Sequence, residues 1–359
     1  MINSGSMKSM QVLRGIAALL VVLYHVRLSE PRYGAGLAFL PDLLLYGNAG
    51  VDLFFVVSGF MMTAIAGNRY GSMQAAGHFL ARRAWRVIPP YWFYTTLVLV
   101  LMLVAPGLAN RSAPGQSVLA SYLLLPQAQL PLLLVGWTLV HEAYFYLMLA
   151  AVIALVQARY VPAYLAAWAL ATLLGHALLP AAAAPWQLLV TNPLTLEFIA
   201  GALIGHYWRR LPGRLGLPVF ALGAATLGAI LIFMGQFEQP GPFARIVLFG
   251  GPSALMVLGA VRWEEHATVA FPRWLVGVGD SSYSLYLSHI FVLVAVARTW
   301  TWSGVNASPW SHVAFAVVTV TACVLFGRLS FRLLEHPLLN LGRRFRRLPP
   351  TATPSITSL

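Results

Sequence analysis

Arg14 and His25 lie eleven positions apart in an otherwise apolar run, Leu13-Arg14-Gly15-Ile16-Ala17-Ala18-Leu19-Leu20-Val21-Val22-Leu23-Tyr24-His25. At about 100° per residue, eleven steps make roughly three turns plus 20°, so an α-helix carries both side chains on one face, roughly 16 Å apart along its axis. A neutral imidazole takes up a proton near neutral pH and can act as a nucleophile. A guanidinium is a permanent cation whose paired donors match phosphate. Similar groups recur in apolar surroundings. Asp52 and Ser58 sit in Gly50-Val51-Asp52-Leu53-Phe54-Phe55-Val56-Val57-Ser58-Gly59-Phe60, Glu142 follows Trp137 in Trp137-Thr138-Leu139-Val140-His141-Glu142, and Glu197 closes Asn192-Pro193-Leu194-Thr195-Leu196-Glu197. The run Ser281-Ser282-Tyr283-Ser284-Leu285-Tyr286-Leu287-Ser288-His289 puts Ser282, Tyr286 and His289 within about 60° on one helix face. Each has a plainer reading: an arginine anchoring a helix end, a histidine or carboxylate at an interface, tyrosines that pack. Glu142 and His25 stand out because they add to one convergent set. No metal-ligand spacing and no nucleotide-binding glycine motif is evident.

The elements that position these residues are membrane helices. Hydrophobic residues make up 59% of the 359 residues and charged residues 9%, against about 25% charged in a soluble domain. The mean hydropathy is +0.75. This composition excludes a soluble globular class and predicts an all-α polytopic membrane protein. Ten candidate spans follow from the apolar runs: 10–28, 49–68, 85–105, 136–157, 161–179, 193–208, 215–235, 243–261, 277–299 and 309–333. Segment 117–134 is apolar but broken by Pro126 and Pro131, and reads as a loop or re-entrant piece. The first run follows Lys8 as a signal peptide would, but Val26-Arg27 offers no small-residue cleavage site and Gly34-Ala35-Gly36 only a weak one, so it reads as an uncleaved span. The single cysteine, Cys323, excludes an intrachain disulfide.

The net charge of +13 reads as a topology signal rather than a nucleic-acid footprint. With the N-terminus in the cytoplasm, the inner loops and tail carry Arg69, Arg82, Arg83, Arg86, Arg159, Arg209, Arg210, Arg214, Arg262, Arg273, Arg343, Arg344, Arg346 and Arg347. The outer loops carry Arg27, Arg32, Arg111 and Arg298. This alternation predicts both termini inside, one domain over 1–341, and a basic then disordered tail over 342–359. It also sorts the polar residues by depth. Arg14, Arg83 and Arg86 fall at the inner surface. His25, Asp52, Glu142 and Glu197 fall towards the outer one, with His289 beyond mid-depth.

Several stretches, in order, resemble the acyltransferase-3 family of bacterial membrane O-acyltransferases, and the opening Gln11-Val12-Leu13-Arg14-Gly15-Ile16-Ala17-Ala18 is similar to its exopolysaccharide-production branch. The matching motifs are Arg14 with His25; the run 50–60; Arg83, Arg86, Pro89, Tyr91 and Trp92; Trp137 and Glu142, with Thr138 where the family has Ser; Tyr283, Tyr286 and His289; and Glu335 with Pro337. Val87-Ile88 is a slight departure in the third. The resemblance covers nearly the whole chain. It implies a bacterial inner-membrane enzyme, acyl-CoA (usually acetyl-CoA) as co-substrate with no permanently bound cofactor, and a saccharide acceptor outside the cytoplasm. That acceptor would be exopolysaccharide, lipopolysaccharide or a lipid-linked precursor. Some members carry a fused soluble hydrolase-like domain; none is expected here, so that any partner for final transfer would be separate.

These expectations fit acyl transfer to a sugar hydroxyl, which needs a positioned base at neutral pH. His25 would act as base or as transient acyl carrier, with Asp52 or Glu142 holding its second nitrogen. Arg14, Arg83 and Arg86 would bind the coenzyme A phosphates. Ser58, Trp137, Tyr283, Tyr286 and His289 would contact substrate. Nucleic acid is not an expected partner; the lipid bilayer is. A transporter of a lipid-linked sugar or organic anion would use buried carboxylates and arginine too, although no internal repeat is visible. A purely structural membrane protein is a third reading.

Overall fold

The computed structural model describes residues 7–67, 69–105, 116–180, 183–234 and 239–345. They form helices and connecting turns, with no strand among the described residues. Among the described residues, ten helical stretches are long and apolar enough to cross a bilayer, as the sequence predicts. Their main helices are α1 (Lys8–Tyr33), α2 (Ala49–Ala66), α3 (Met73–Val104), α4 (Gly136–Leu155), α5 (Val161–Leu178), α6 (Thr195–Tyr207), α7 (Gly216–Met234), α8 (Gly251–His266), α9 (Ser282–Trp302) and α10 (Pro309–Ser330).

Three boundaries differ from the sequence reading. α3 starts at Met73 rather than near 85, because Ser72 caps it by accepting from the Ala75 N–H and the helix carries His78, Arg82 and Arg83 as polar turns before the apolar part. The span expected at 277–299 is broken. A short helix, Arg273–Asp280, ends where the Ser281 hydroxyl donates to the Gly277 carbonyl, and α9 begins afresh at Ser282. α10 runs on through a π turn at Phe331–Glu335 into a helix over His336–Phe345, past the span end expected at 333. The remainder of the expected tail, 346–359, lies outside the described residues, as does Arg111.

Segment 117–134 holds a short helix, Val118–Tyr122, followed by irregular chain. The Ser121 hydroxyl donates to the Ser117 carbonyl and accepts from the Leu132 N–H and the Gln127 amide, while the Tyr91 hydroxyl donates to the Ser121 carbonyl. These bonds give irregular backbone internal partners, and the segment buries its own Leu132 and Leu133.

α1 is central, in contact with α2, α9, α10 and the Arg273–Asp280 helix. Its first turn has no capping side chain of its own. The Glu264 carboxylate, from the end of α8, accepts from the Lys8 and Ser9 N–H groups at 2.9 and 3.0 Å, placing an anion at the positive helix terminus. At the other end, Glu30 is fully buried and accepts from the Phe39 and Leu40 N–H groups and from His312 Nδ1 of α10. α1 is therefore clamped at both ends, and the line from Arg14 to His25 is fixed.

α2 and α6 approach through small residues. A Cβ added at Gly59 would lie 2.0 Å from the Phe198 carbonyl oxygen, and one added at Gly201 equally close to that of Val56. Close backbone approach between small residues is what holds helices together where lipid offers no hydrophobic drive. Gly59→Ala is therefore expected to separate α2 from α6, at roughly 1–3 kcal/mol of overpacking strain. A lower thermal midpoint in detergent checks this, against Gly77→Ala, whose new methyl meets nothing within 4 Å and leaves the midpoint unchanged.

Candidate active site

A cavity of about 90 Å³ opens between α1, α2, α3, α4 and α9. Three cations face it: Arg14, Arg83 and Arg86. The two from α3 are three positions apart and so share a helix face. Arg14 Nε donates to Ser282 Oγ at 3.1 Å, a bond set by the parallel course of α1 and α9. The Arg83 guanidinium lies 5.8 Å from the ring centroids of both Phe79 and Tyr146. Glu142 joins this cavity from α4. Its Oε1 accepts from the Tyr146 hydroxyl at 2.6 Å and from Ser58 Oγ at 3.5 Å. Glu335, on the π turn, is buried and accepts from Ser284 Oγ at 2.6 Å, within electrostatic reach of Arg14. Tyr283 Oη donates to the Val87 carbonyl, tying α9 to α3 beside the arginines. Tyr286, Thr138 and Phe54 close the cavity on the side towards the histidines.

The histidines form a separate group. His25 Nδ1 lies 2.9 Å from the Val21 carbonyl oxygen one turn back, and 3.3 Å from His289 Nε2. His289 Nδ1 lies 2.8 Å from the Tyr286 carbonyl oxygen. The two rings meet edge to face with centroids 4.9 Å apart, and Tyr24 packs against His25 in the same way. His289 is fully buried, whereas His25 is partly exposed.

A third polar group lies in the first turns of α2 and α6. Arg245 grips Asp52 with two bonds, Nε to Oδ1 at 2.9 Å and Nη2 to Oδ2 at 2.6 Å, and also donates to the Asn48 carbonyl. Glu197 is 1% exposed, and the pair lies within its electrostatic reach.

The structure thus sorts the expected residues differently from the sequence. Arg14, Arg83, Arg86, Ser58, Tyr283 and Tyr286 line one cavity. Glu142 lies there too, not beside His25, because α4 presents it to the arginines. Neither Asp52 nor Glu142 holds the Nδ1 of His25; the Val21 carbonyl and His289 do, and the Asp52 carboxylate is engaged by Arg245. Trp137 stacks edge to face on His141 and lies outside the cavity lining. His289 is buried behind His25 rather than open to an acceptor. Sequence reasoning gave no role to Ser282, Tyr146, Thr138 or Glu335. Tyr146 was signalled by standing four positions after Glu142, and Glu335 by its place in the closing Glu-x-Pro.

Comparison with known proteins defines the class. The acyltransferase-3 family model, described as an acyltransferase domain, matches residues 7–328, and the chain belongs to this family. It is a multi-pass membrane acyltransferase. The chain is 33% identical to the exopolysaccharide production protein ExoZ of Rhizobium meliloti over 84% of its own length and 92% of that protein. It is 25% identical to nodulation protein 10 of Rhizobium leguminosarum bv. viciae, over 94% of this chain and 95% of that one. It is 23% identical to the peptidoglycan O-acetyltransferase OatA of Listeria monocytogenes over 93% of this chain, which spans 56% of that longer protein. No solved structure is a significant match.

The Asp52–Arg245 geometry generates a stability prediction. Removing one partner of a buried pair leaves an uncompensated charge, at about 3–5 kcal/mol. Asp52→Asn and Arg245→Gln are each expected to lower the thermal midpoint, and the double variant to fall by less than their sum. A double variant that stays folded is expected to keep acyl transfer, and loss of transfer there would return Asp52 to the chemistry.

Proposed function

We propose that the chain transfers an acyl group, acetyl by preference, from acyl-CoA on the cytoplasmic side of the inner membrane to a hydroxyl of a surface or exported saccharide. The observation that carries this reading is the cavity with three arginines in a membrane-spanning bundle. Buried charge in a bilayer is expensive, and an unbalanced cationic cavity suits an anion that neutralises it. Coenzyme A carries several phosphate charges and would seat them there. The name of the Listeria relative, a peptidoglycan O-acetyltransferase, supports acetyl and a saccharide; that of the Rhizobium meliloti relative supports an extracellular polysaccharide.

In the proposed reaction the phosphates stay with Arg14, Arg83 and Arg86, while the long, thin thioester arm passes Tyr286 towards His25. An arm of that kind can cover the roughly 16 Å along α1 between Arg14 and His25. His25 Nε2 takes the proton from the acceptor hydroxyl as the oxygen attacks the thioester carbonyl. The carbon–sulfur bond breaks, and the proton passes to the leaving thiolate. Alternatively, Nε2 attacks first, the thiolate leaves, and the acceptor oxygen then displaces the imidazole, its hydroxyl proton passing by way of Nε2 to the thiolate. Both routes give ester and free coenzyme A, and both need His25 Nε2 unprotonated. Glu142 keeps the arginines oriented and their mutual repulsion down.

Sealed vesicles of known orientation test this reading. Labelled acetyl-CoA is supplied on the cytoplasmic face, and the cells' own polysaccharide, stripped of esters by mild alkali, is confined to the opposite compartment. Alkali-labile label on that polysaccharide is expected, and none with a folded His25→Ala variant. Polysaccharide translocated without ester formation would favour a transporter. Ester formed only when donor and acceptor share the cytoplasmic side would defeat the transmembrane route.

The arginines give a kinetic prediction. Arg83→Ala and Arg86→Ala each remove a charge-assisted contact of about 1.5–3 kcal/mol, so KM for acetyl-CoA is expected to rise roughly ten- to hundred-fold. The KM for polysaccharide is expected to stay near the wild-type value. An unchanged acetyl-CoA dependence in both variants would leave them as topology anchors.

A further inference from the structure

We infer that His289 is a positioning residue that holds His25 in the one tautomer with a free Nε2 lone pair. The inference rests on the proposed role of His25 and goes beyond it, by assigning how that ring is kept ready.

The hydrogen-bond partners determine the proton positions. A backbone carbonyl oxygen only accepts, so the His25 nitrogen facing the Val21 carbonyl carries a proton, and the His289 nitrogen facing the Tyr286 carbonyl carries one too. With Nδ1 protonated, neutral His289 has a lone pair on Nε2. That lone pair points at His25 Nδ1, 3.3 Å away, which leaves the single His25 Nδ1 proton shared between the Val21 oxygen and His289 Nε2. The reverse tautomer of His25 would set two lone pairs, from Nδ1 and from the Val21 carbonyl, against each other. A proton on His289 Nε2 would set two N–H groups face to face. Only one arrangement satisfies every partner, and in it His25 Nε2 is unprotonated.

The surroundings hold His289 in place. It is fully buried, its backbone carbonyl accepts from Cys323 Sγ at 3.6 Å, and Tyr286 packs beside its ring. With both ring nitrogens engaged and no exposed surface, His289 cannot touch an acceptor. A histidine also suits its depth. A carboxylate behind the base would carry charge into the bilayer, at high cost unless paired. Neutral imidazole supplies an acceptor for the imidazolium, or the acyl-imidazolium, without carrying that charge. It does the orienting work that an aspartate does behind a catalytic histidine in water-soluble enzymes.

The test uses the full chain, purified in detergent, with labelled acetyl-CoA and ester-stripped polysaccharide as acceptor. His289→Leu removes the acceptor while keeping an apolar side chain of similar bulk. It is expected to lower kcat roughly 10- to 100-fold, with KM for acetyl-CoA within about two-fold. His289→Gln can place an amide oxygen where Nε2 was and is expected to restore most of the rate. A folded His289→Leu variant with wild-type kcat, or a folded Gln variant no better than Leu, would overturn the assignment. A second measurement does not depend on the variants folding. ¹⁵N spectra of the wild-type protein with labelled histidine, with the His25 signals assigned by their loss in His25→Ala, are expected to show protonated Nδ1 and unprotonated Nε2. A His25 with its proton on Nε2 would overturn the inference even if His25→Ala is inactive. Activity in His25→Ala would instead remove the proposed role of His25 and leave the tautomer result standing.

Discussion

The bilayer core offers no partner to a polar group, so most of the charged side chains buried in this bundle are met from inside the protein. That constraint explains the grouping of the ionisable side chains. Glu30 takes bonds from two backbone N–H groups and His312, Asp52 takes both arms of Arg245, and Glu264 serves the first turn of α1. These carboxylates are matched by what surrounds them, each at a helix end.

The arginine cavity is different. Three guanidiniums and one carboxylate, Glu142, line it, so the lining is cationic with every group ionised, while Glu335 and Asp280 lie within electrostatic reach of Arg14 from outside it. Glu142 and Glu335 have further hydrogen bonds from Tyr146, Ser58 and Ser284, which hold them without adding charge. Arg14 is likewise held by a neutral serine. Neutral donors and acceptors therefore set the geometry, and the lining keeps its net positive charge.

Much of this was legible in the sequence, and the part that was not has a common cause. The ten spans follow from apolar run length, since a bilayer imposes that length directly. Arg14, Arg83, Arg86, Ser58, Tyr283 and Tyr286 converge because helical spacing puts Arg83 and Arg86 on one face and because α1 and α9 run parallel. What sequence could not supply was rotation and depth at the start of each helix. Glu142 reads as near an outer surface because its span begins at Gly136, yet α4 turns it into the cavity that Arg14, Arg83 and Arg86 line. Asp52 was assigned to His25 by depth alone, and the partner it meets, Arg245, is 193 positions away on another helix. The break at Ser281 was hidden because one apolar window covered two helices.

The division between charged cavity and neutral histidine pair also bears on how one bundle serves two substrates. The arginines and the histidines are separated by Tyr286, which the Thr138 hydroxyl and the Val135 carbonyl hold in place. Phosphates bound among the arginines gain charge-assisted hydrogen bonds that the histidine side cannot match, since each ring there faces a carbonyl and the other ring. In the proposed reaction an anion would therefore be retained at one end while only an uncharged chain extends past Tyr286. The acceptor would meet the opposite condition. A saccharide hydroxyl needs a hydrogen-bond acceptor and no cation, and in that proposal His25 Nε2 supplies it. Each substrate would then be kept at its own end by chemistry that excludes the other, so that the acyl group alone would cross between them.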